Sequence, residues 1–204
     1  MGAALFTTGP YIEMTIASQT IMTPSIEDGV VIWRVPLGDG TVTHVSLDDC
    51  GHYVRWLFDN PERSNGLDLE VGIDDIKYAD LAAAFERVTG HPAKYIDVSL
   101  DYYWTQGNMS RAANWPAAYN AVDGGMTIRE NFTGFWNFWK HRVITRDYKL
   151  LDEIFPRRIK NAEEFFRRED EKARGQGTSL WEKVQKGNLK PILKMAEDGR
   201  KGRL

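Results

Sequence analysis

The chain is expected to be an α+β protein with few short strands, including one hairpin, followed by a mainly helical C-terminal half. Three observations carry that expectation. Short β-rich runs bounded by Gly, Pro and Asp are confined to the first hundred residues. From about Ser99 onward the apolar residues recur at helical spacing only. No succession of strand, crossover helix and strand opens the chain, as a complete doubly wound sheet requires.

The elements follow in order. Residues 3–7 read as a strand that ends at Gly9-Pro10. Residues 11–20 place Ile12, Met14 and Ile16 in a helical pattern, and Pro24 stops it. Residues 30–35 and 41–47 are β-rich runs around Pro36-Leu-Gly-Asp-Gly40, a hairpin signal with Asp39-Gly40 supplying positive φ. Ser46 or Asp48 caps the next helix, whose apolar stripe is Val54, Leu57 and Phe58, with a stop at Pro61. Residues 67–72 form another short strand. Asp74 or Asp75 caps a helix over 78–88, with Leu81, Ala84, Phe85 and Val88 inward and Gly90 at its C-terminal end. Residues 93–98 alternate as a last strand.

Residues 104–123 read as irregular, with Pro116 and the Gly124-Gly125 pair. Helices are expected over 128–143, with Phe132, Phe135, Trp136 and Trp139 on one side, over 148–154, and over 159–173 with Phe165 and Phe166. Gly175-Gln-Gly177 breaks the last of these. Short helices at 179–185 and 191–197 sit in a polar tail. The expected division is therefore a main unit over 1–173 and a tail over 174–204.

Composition narrows the function classes. A length of 204 residues supports one domain with a sizeable core. Seven Trp bury much area and can line pockets for organic ligands. The net charge of −3 gives no global basic field, so nucleic acid is not an expected partner. Residues 1–139 hold 8 basic and 18 acidic side chains, and residues 140–204 hold 18 and 11, so the halves carry −10 and +7. The basic half either stays solvated or folds against the acidic one. No apolar run reaches membrane-spanning length. Cys50 is the lone cysteine, which excludes an internal disulfide. With no signal-peptide layout at the N-terminus, a cytoplasmic location is expected, or a nuclear one for a regulator.

Several chemistries lack their motifs. No G-x-G-x-x-G or P-loop pattern occurs. One Cys and four scattered His do not make a zinc site, so no metal is expected. Two groupings remain. His44 precedes Asp48-Asp49, and a carboxylate beside an imidazole makes an acid/base pair; alternatively the acids only cap the helix. Thr7-Thr8-Gly9-Pro10-Tyr11-Ile12-Glu13-Met14 sets hydroxyls, a tight turn, a Tyr and a Glu at a strand end, where ligands bind in open α/β sheets. The bland reading of that run is a turn with its cap.

Several segments together resemble the NmrA-like family of atypical short-chain dehydrogenases. Thr7 to Met14 is similar to the segment after that family's sixth strand. Trp33-Arg-Val-Pro-Leu-Gly-Asp-Gly40 and His44-Val-Ser-Leu-Asp-Asp-Cys-Gly51 are similar to its hairpin and helix start. Asp68 to Gly72, Ala82 to Gly90, and Arg146 to Ile154 with Arg158 to Lys160 continue the match. The resemblance implies the remnant of a Rossmann-type α/β protein, its substrate-side C-terminal portion without the glycine-rich front.

For function, it implies an oxidoreductase-like protein of fungal secondary metabolism that binds a small organic metabolite, or a regulator that contacts another protein. Thr8, Gly9, Pro10, Tyr11 and Met14 would line the pocket floor, with Trp33 and His44 near its rim. NAD(P) is implied by the family, but this chain alone is expected to hold no cofactor. A cofactor-free isomerase or lyase would draw its acid and base from His44, Asp48, Tyr11 and Glu13. A homo-oligomer or partner protein is expected to cover the open sheet edge near residues 3–7.

Overall fold

The computed structural model describes residues 2–118, 125–187 and 189. The α+β class is as expected, with strands confined to residues before 98. The expected Gly124 turn and the 191–197 helix lie outside the described residues.

Two parallel strands begin the architecture. Strand β1 (Leu5–Thr8) pairs with β5 (Asp68–Val71), Leu5 opposite Asp68 and Thr8 opposite Val71. Helices α1 (Leu47–Asp59) and α6 (Tyr148–Ile154) cover one face of the pair. Together they enclose a small core of Val45, Tyr53, Leu69, Val71 and Leu151.

A larger core lies around a second sheet. Strand β3 (Val30–Val35) sits between antiparallel β2 (Ser25–Glu27) and parallel β7 (Ala93–Asp97). Helix α3 (Tyr78–Thr89) packs on this sheet and against α7 (Ala162–Arg174). Its inward residues Leu81, Ala84 and Phe85 are buried as the 3.6 period requires, and Gly90 closes it at φ 73°. The Phe85 ring meets Trp33 edge-on at 5.6 Å and Phe166 at 5.3 Å, joining sheet to both helices. Helix α5 (Ile128–Lys140) adds Trp136 and Trp139, and starts with a capping box of Thr127 and Glu130.

The hairpin is not where Pro36–Gly40 places it. It joins β2 to β3 at Asp28-Gly29, which take φ 50° and 79°. Two successive positive φ values are what a tight primed turn demands, and Asp-Gly supplies them. Strand β4 (Val42–Thr43) instead pairs with β6 (Asp75–Ile76). Both edges of β3 are already occupied, and the 36–41 loop is committed elsewhere. Gly38, not Asp39-Gly40, has the positive φ, at 57°, and its N–H donates to Asp97 Oδ1 at 2.7 Å. Gly40 presses on the end of α5, where a Cβ would lie 2.6 Å from Lys140 Cα.

The expected helix over 11–20 contracts to one 3₁₀ turn, Ile12–Thr15. Threonine hydroxyls explain why. Thr15 donates to Ile12 O, Thr20 to Met14 O and Thr23 to Ala17 O, each at 2.7 Å. These bonds take carbonyls that a helix would use, and hold a compact loop with Gln19 at φ 62°.

Two short helices fall where none was expected: α2 (Pro61–Ser64) and α4 (Leu100–Thr105). In the tail, α8 (Leu180–Gln185) docks on α7, with Leu180 N–H donating to Asp170 Oδ1 at 2.9 Å. His91 stacks on Trp181 at 4.1 Å.

Phe85→Ala is expected to lower unfolding free energy by about 3–5 kcal/mol, the range for emptying a buried aromatic site. Gly29→Ala, at a positive φ with open space around it, should cost only about 1 kcal/mol. Urea unfolding midpoints of the two variants check the order.

Candidate functional site at the end of the parallel strands

Thr8, Gly9, Pro10 and Tyr11 emerge from the carboxyl end of β1 and are all half-buried. Their path is fixed by a three-segment interlock. Pro10 O accepts from Val45 N–H at 3.0 Å, and Ile12 N–H donates to Val45 O at 2.9 Å. On the other side, Ile73 N–H donates to His44 O at 2.6 Å. Residues 42–45 are therefore gripped between the exit of β1 and the exit of β5.

Two glycines permit this approach. A Cβ on Gly9 would lie 1.8 Å from Thr43 O, and one on Gly72 would lie 2.6 Å from Thr43 Cγ2. No rotation of a side chain relieves the first contact, because it is with backbone. The sequence signals Gly9 as a turn residue, but the close approach is visible only once the segments are assembled.

The expected rim and floor residues separate into two groups. Trp33 is fully buried, and its Nε1 donates to Thr15 O at 2.9 Å. Met14 is buried in the same core. Both support the run from behind, and Thr8 to Tyr11 alone reach the surface.

His44 is sealed. Its Nδ1 donates to Pro10 O at 3.3 Å, and Nε2 is buried with no partner among the described residues. Tyr78 flanks the ring at 6.1 Å between centroids. Burial drives the imidazole pKa down to about 3, so it is neutral. The acids following it turn elsewhere. Asp48 makes a surface ion pair with Lys172 Nζ at 2.5 Å, and Lys172 also reaches Glu169 at 2.7 Å. Asp49 is buried and accepts from Ile159 N–H at 2.8 Å, tying α1 to the segment before α7. Burial raises its pKa, partly offset by that bond.

Glu13 caps α1 from another element. Its Oε1 accepts from Leu47 N–H at 2.9 Å and from Ser46 Oγ at 3.3 Å, while Ser46 makes no cap of its own. Oε2 is buried without a partner among the described residues. Burial pushes the Glu13 pKa up to about 7 against the backbone N–H groups of Glu13 and Leu47, and Glu169 and Asp48 act in the same direction as burial.

Two arginines complete the support. Arg146 lies over Gly72 and pairs with Glu70 at 2.8 Å. Arg158 donates to Ile73 O at 2.6 Å and pairs with Asp152 at 2.9 Å, its guanidinium 5.4 Å from the Tyr148 ring centre. These clamps were not read as functional from the sequence; two arginines in a segment of alternating helix signals carry no burial information.

The exit of β1 does not fit a dinucleotide. A pyrophosphate needs a helix N-terminus with free N–H groups. Here β1 leads through Pro10, which lacks an N–H, into a single 3₁₀ turn. The start of α1 holds the Glu13 carboxyl group, and α5, α7 and α8 are capped by Thr127, Asn161 and Ser179; α3 starts at Lys77 without a side-chain cap, with Asp80 in its first turn, and does not follow β1. Among the described residues no group of three or more His, Cys, Asp or Glu could hold a metal ion. No described helix is long and apolar enough to cross a membrane.

No family model and no curated protein matches this sequence. Solved structures do. NmrA, a negative transcriptional regulator determined in complex with NAD, aligns at TM-score 0.61 and 15% identity, over 88% of this chain and 56% of NmrA. A nucleoside-diphosphate-sugar epimerase from Staphylococcus aureus aligns at 0.55 and 14%, over 82% and 52%. Triphenylmethane reductase of Citrobacter sp., complexed with NADP(H), aligns at 0.51 and 13%, over 88% and 51%. The chain has part of an NmrA-like fold, and spans about half the length of the structures it matches.

The two buried titrations act in opposite directions on stability. His44 has a folded pKa below its ordinary 6.5, so its contribution is complete above pH 6.5 and is lost as pH falls toward 3. Glu13 has a folded pKa above its ordinary 4.5, so its contribution is complete below pH 4.5 and is lost as pH rises through about 7. Glu13→Gln keeps an oxygen for Leu47 N–H and removes the ionisation. It is expected to match the wild type near pH 4 and exceed it in urea midpoint at pH 8. His44→Gln should flatten the decline between pH 6.5 and 3.

Proposed function

We propose that the chain is the substrate-side portion of an NmrA-type, oxidoreductase-like protein, and that it binds a small organic metabolite at the carboxyl end of β1. The observation that carries this reading is the half-buried Thr8-Gly9-Pro10-Tyr11 run, fixed at the end of two parallel strands. That is the position at which open α/β sheets receive ligands. Thr8 and Tyr11 supply hydroxyls there, and Met14 and Trp33 brace the run from the core. Secondary metabolism is the setting proposed, on the sequence resemblance.

Hydride transfer is not assigned to this chain, since the residues that would cradle a nicotinamide dinucleotide are not among those described. The proton chemistry available is that of Glu13, through the cap it shares with Leu47. A non-catalytic regulatory role is the second reading. The occupied starts of α1, α5, α7 and α8 favour it, because those helices offer surface but no free N–H groups for an anion.

Tryptophan fluorescence during titration with an aromatic polyketide-type ketone, emodin, tests the binding reading. Saturable quenching that weakens about tenfold or more in a Thr8→Val, Tyr11→Ala double variant is expected. Equal binding by wild type and variant would contradict it. Titration with NADPH is expected to show no micromolar binding by this chain, and micromolar binding would overturn the cofactor argument.

A further inference from the structure

We draw no further inference here: the strongest candidate, the cleft of about 500 Å³ beside the starts of α3 and α7, lined by Asp74, Asp75 and Asp80 and by the Arg87–Glu163–Arg167 ion pairs, carries nothing, because no buried polar group without a partner among the described residues lines it and an acidic cluster beside a helix start does not by itself define a ligand.

Discussion

The fold turns on one close approach of backbone to backbone. Residues 42–45 pass between the ends of two parallel strands, bonded to Pro10 and Ile12 on one side and to Ile73 on the other. Gly9 and Gly72 make room for it. Everything beyond depends on that passage. It directs β4 onto β6 instead of back onto β3, buries His44, and delivers Ser46 to Glu13 so that α1 can begin. Arg146 and Arg158 then hold the β5 exit from the outside, with several bonds to carbonyls and carboxylates instead of to solvent.

Electrostatics at this junction follow from burial more than from ion pairing. His44 remains uncharged because nothing acidic reaches it, despite two aspartates within five residues. Burial pushes the Glu13 pKa up to about 7, and the backbone N–H groups of Glu13 and Leu47 offset only part of that desolvation. The same carboxyl group stands where an anionic ligand would need to sit. Structural capping and anion recognition compete for the same N–H groups, and here capping has taken them.

Much of the fold was legible in local patterns. Helical spacing located α3, α5 and α7, and the α6 bounds agree from Tyr148 to Ile154, because amphipathic stripes are local; the expected Asp74 or Asp75 cap of α3 does not form, and Lys77 stands at that start without a side-chain bond. The hairpin was misplaced because two Asp-Gly pairs compete, at 28–29 and 39–40, and only tertiary contacts with α5 decide between them. Phe58 was expected to be inward at helical spacing with Val54; it faces outward because Asp49 and Tyr53 define the buried side of α1. At the candidate site, the position of Thr8 to Tyr11 was readable from a strand ending in Gly-Pro. The sealing of His44 and Trp33 was not, since their neighbours Pro10, Tyr78, Thr15 and Phe85 lie on other segments of the chain.

The solved structures that share this fold are longer by more than half, and NAD and NADP(H) are bound by those longer chains. What this chain contributes is a braced strand end and the surface around it. Its integrity can be read directly by amide hydrogen exchange at Ile12, Val45 and Ile73, the three donors of the interlock. If the passage of residues 42–45 organises the fold, these amides exchange only with global unfolding, as slowly as those of β3. Exchange as rapid as at the end of α8, under conditions where β3 stays protected, would contradict the account.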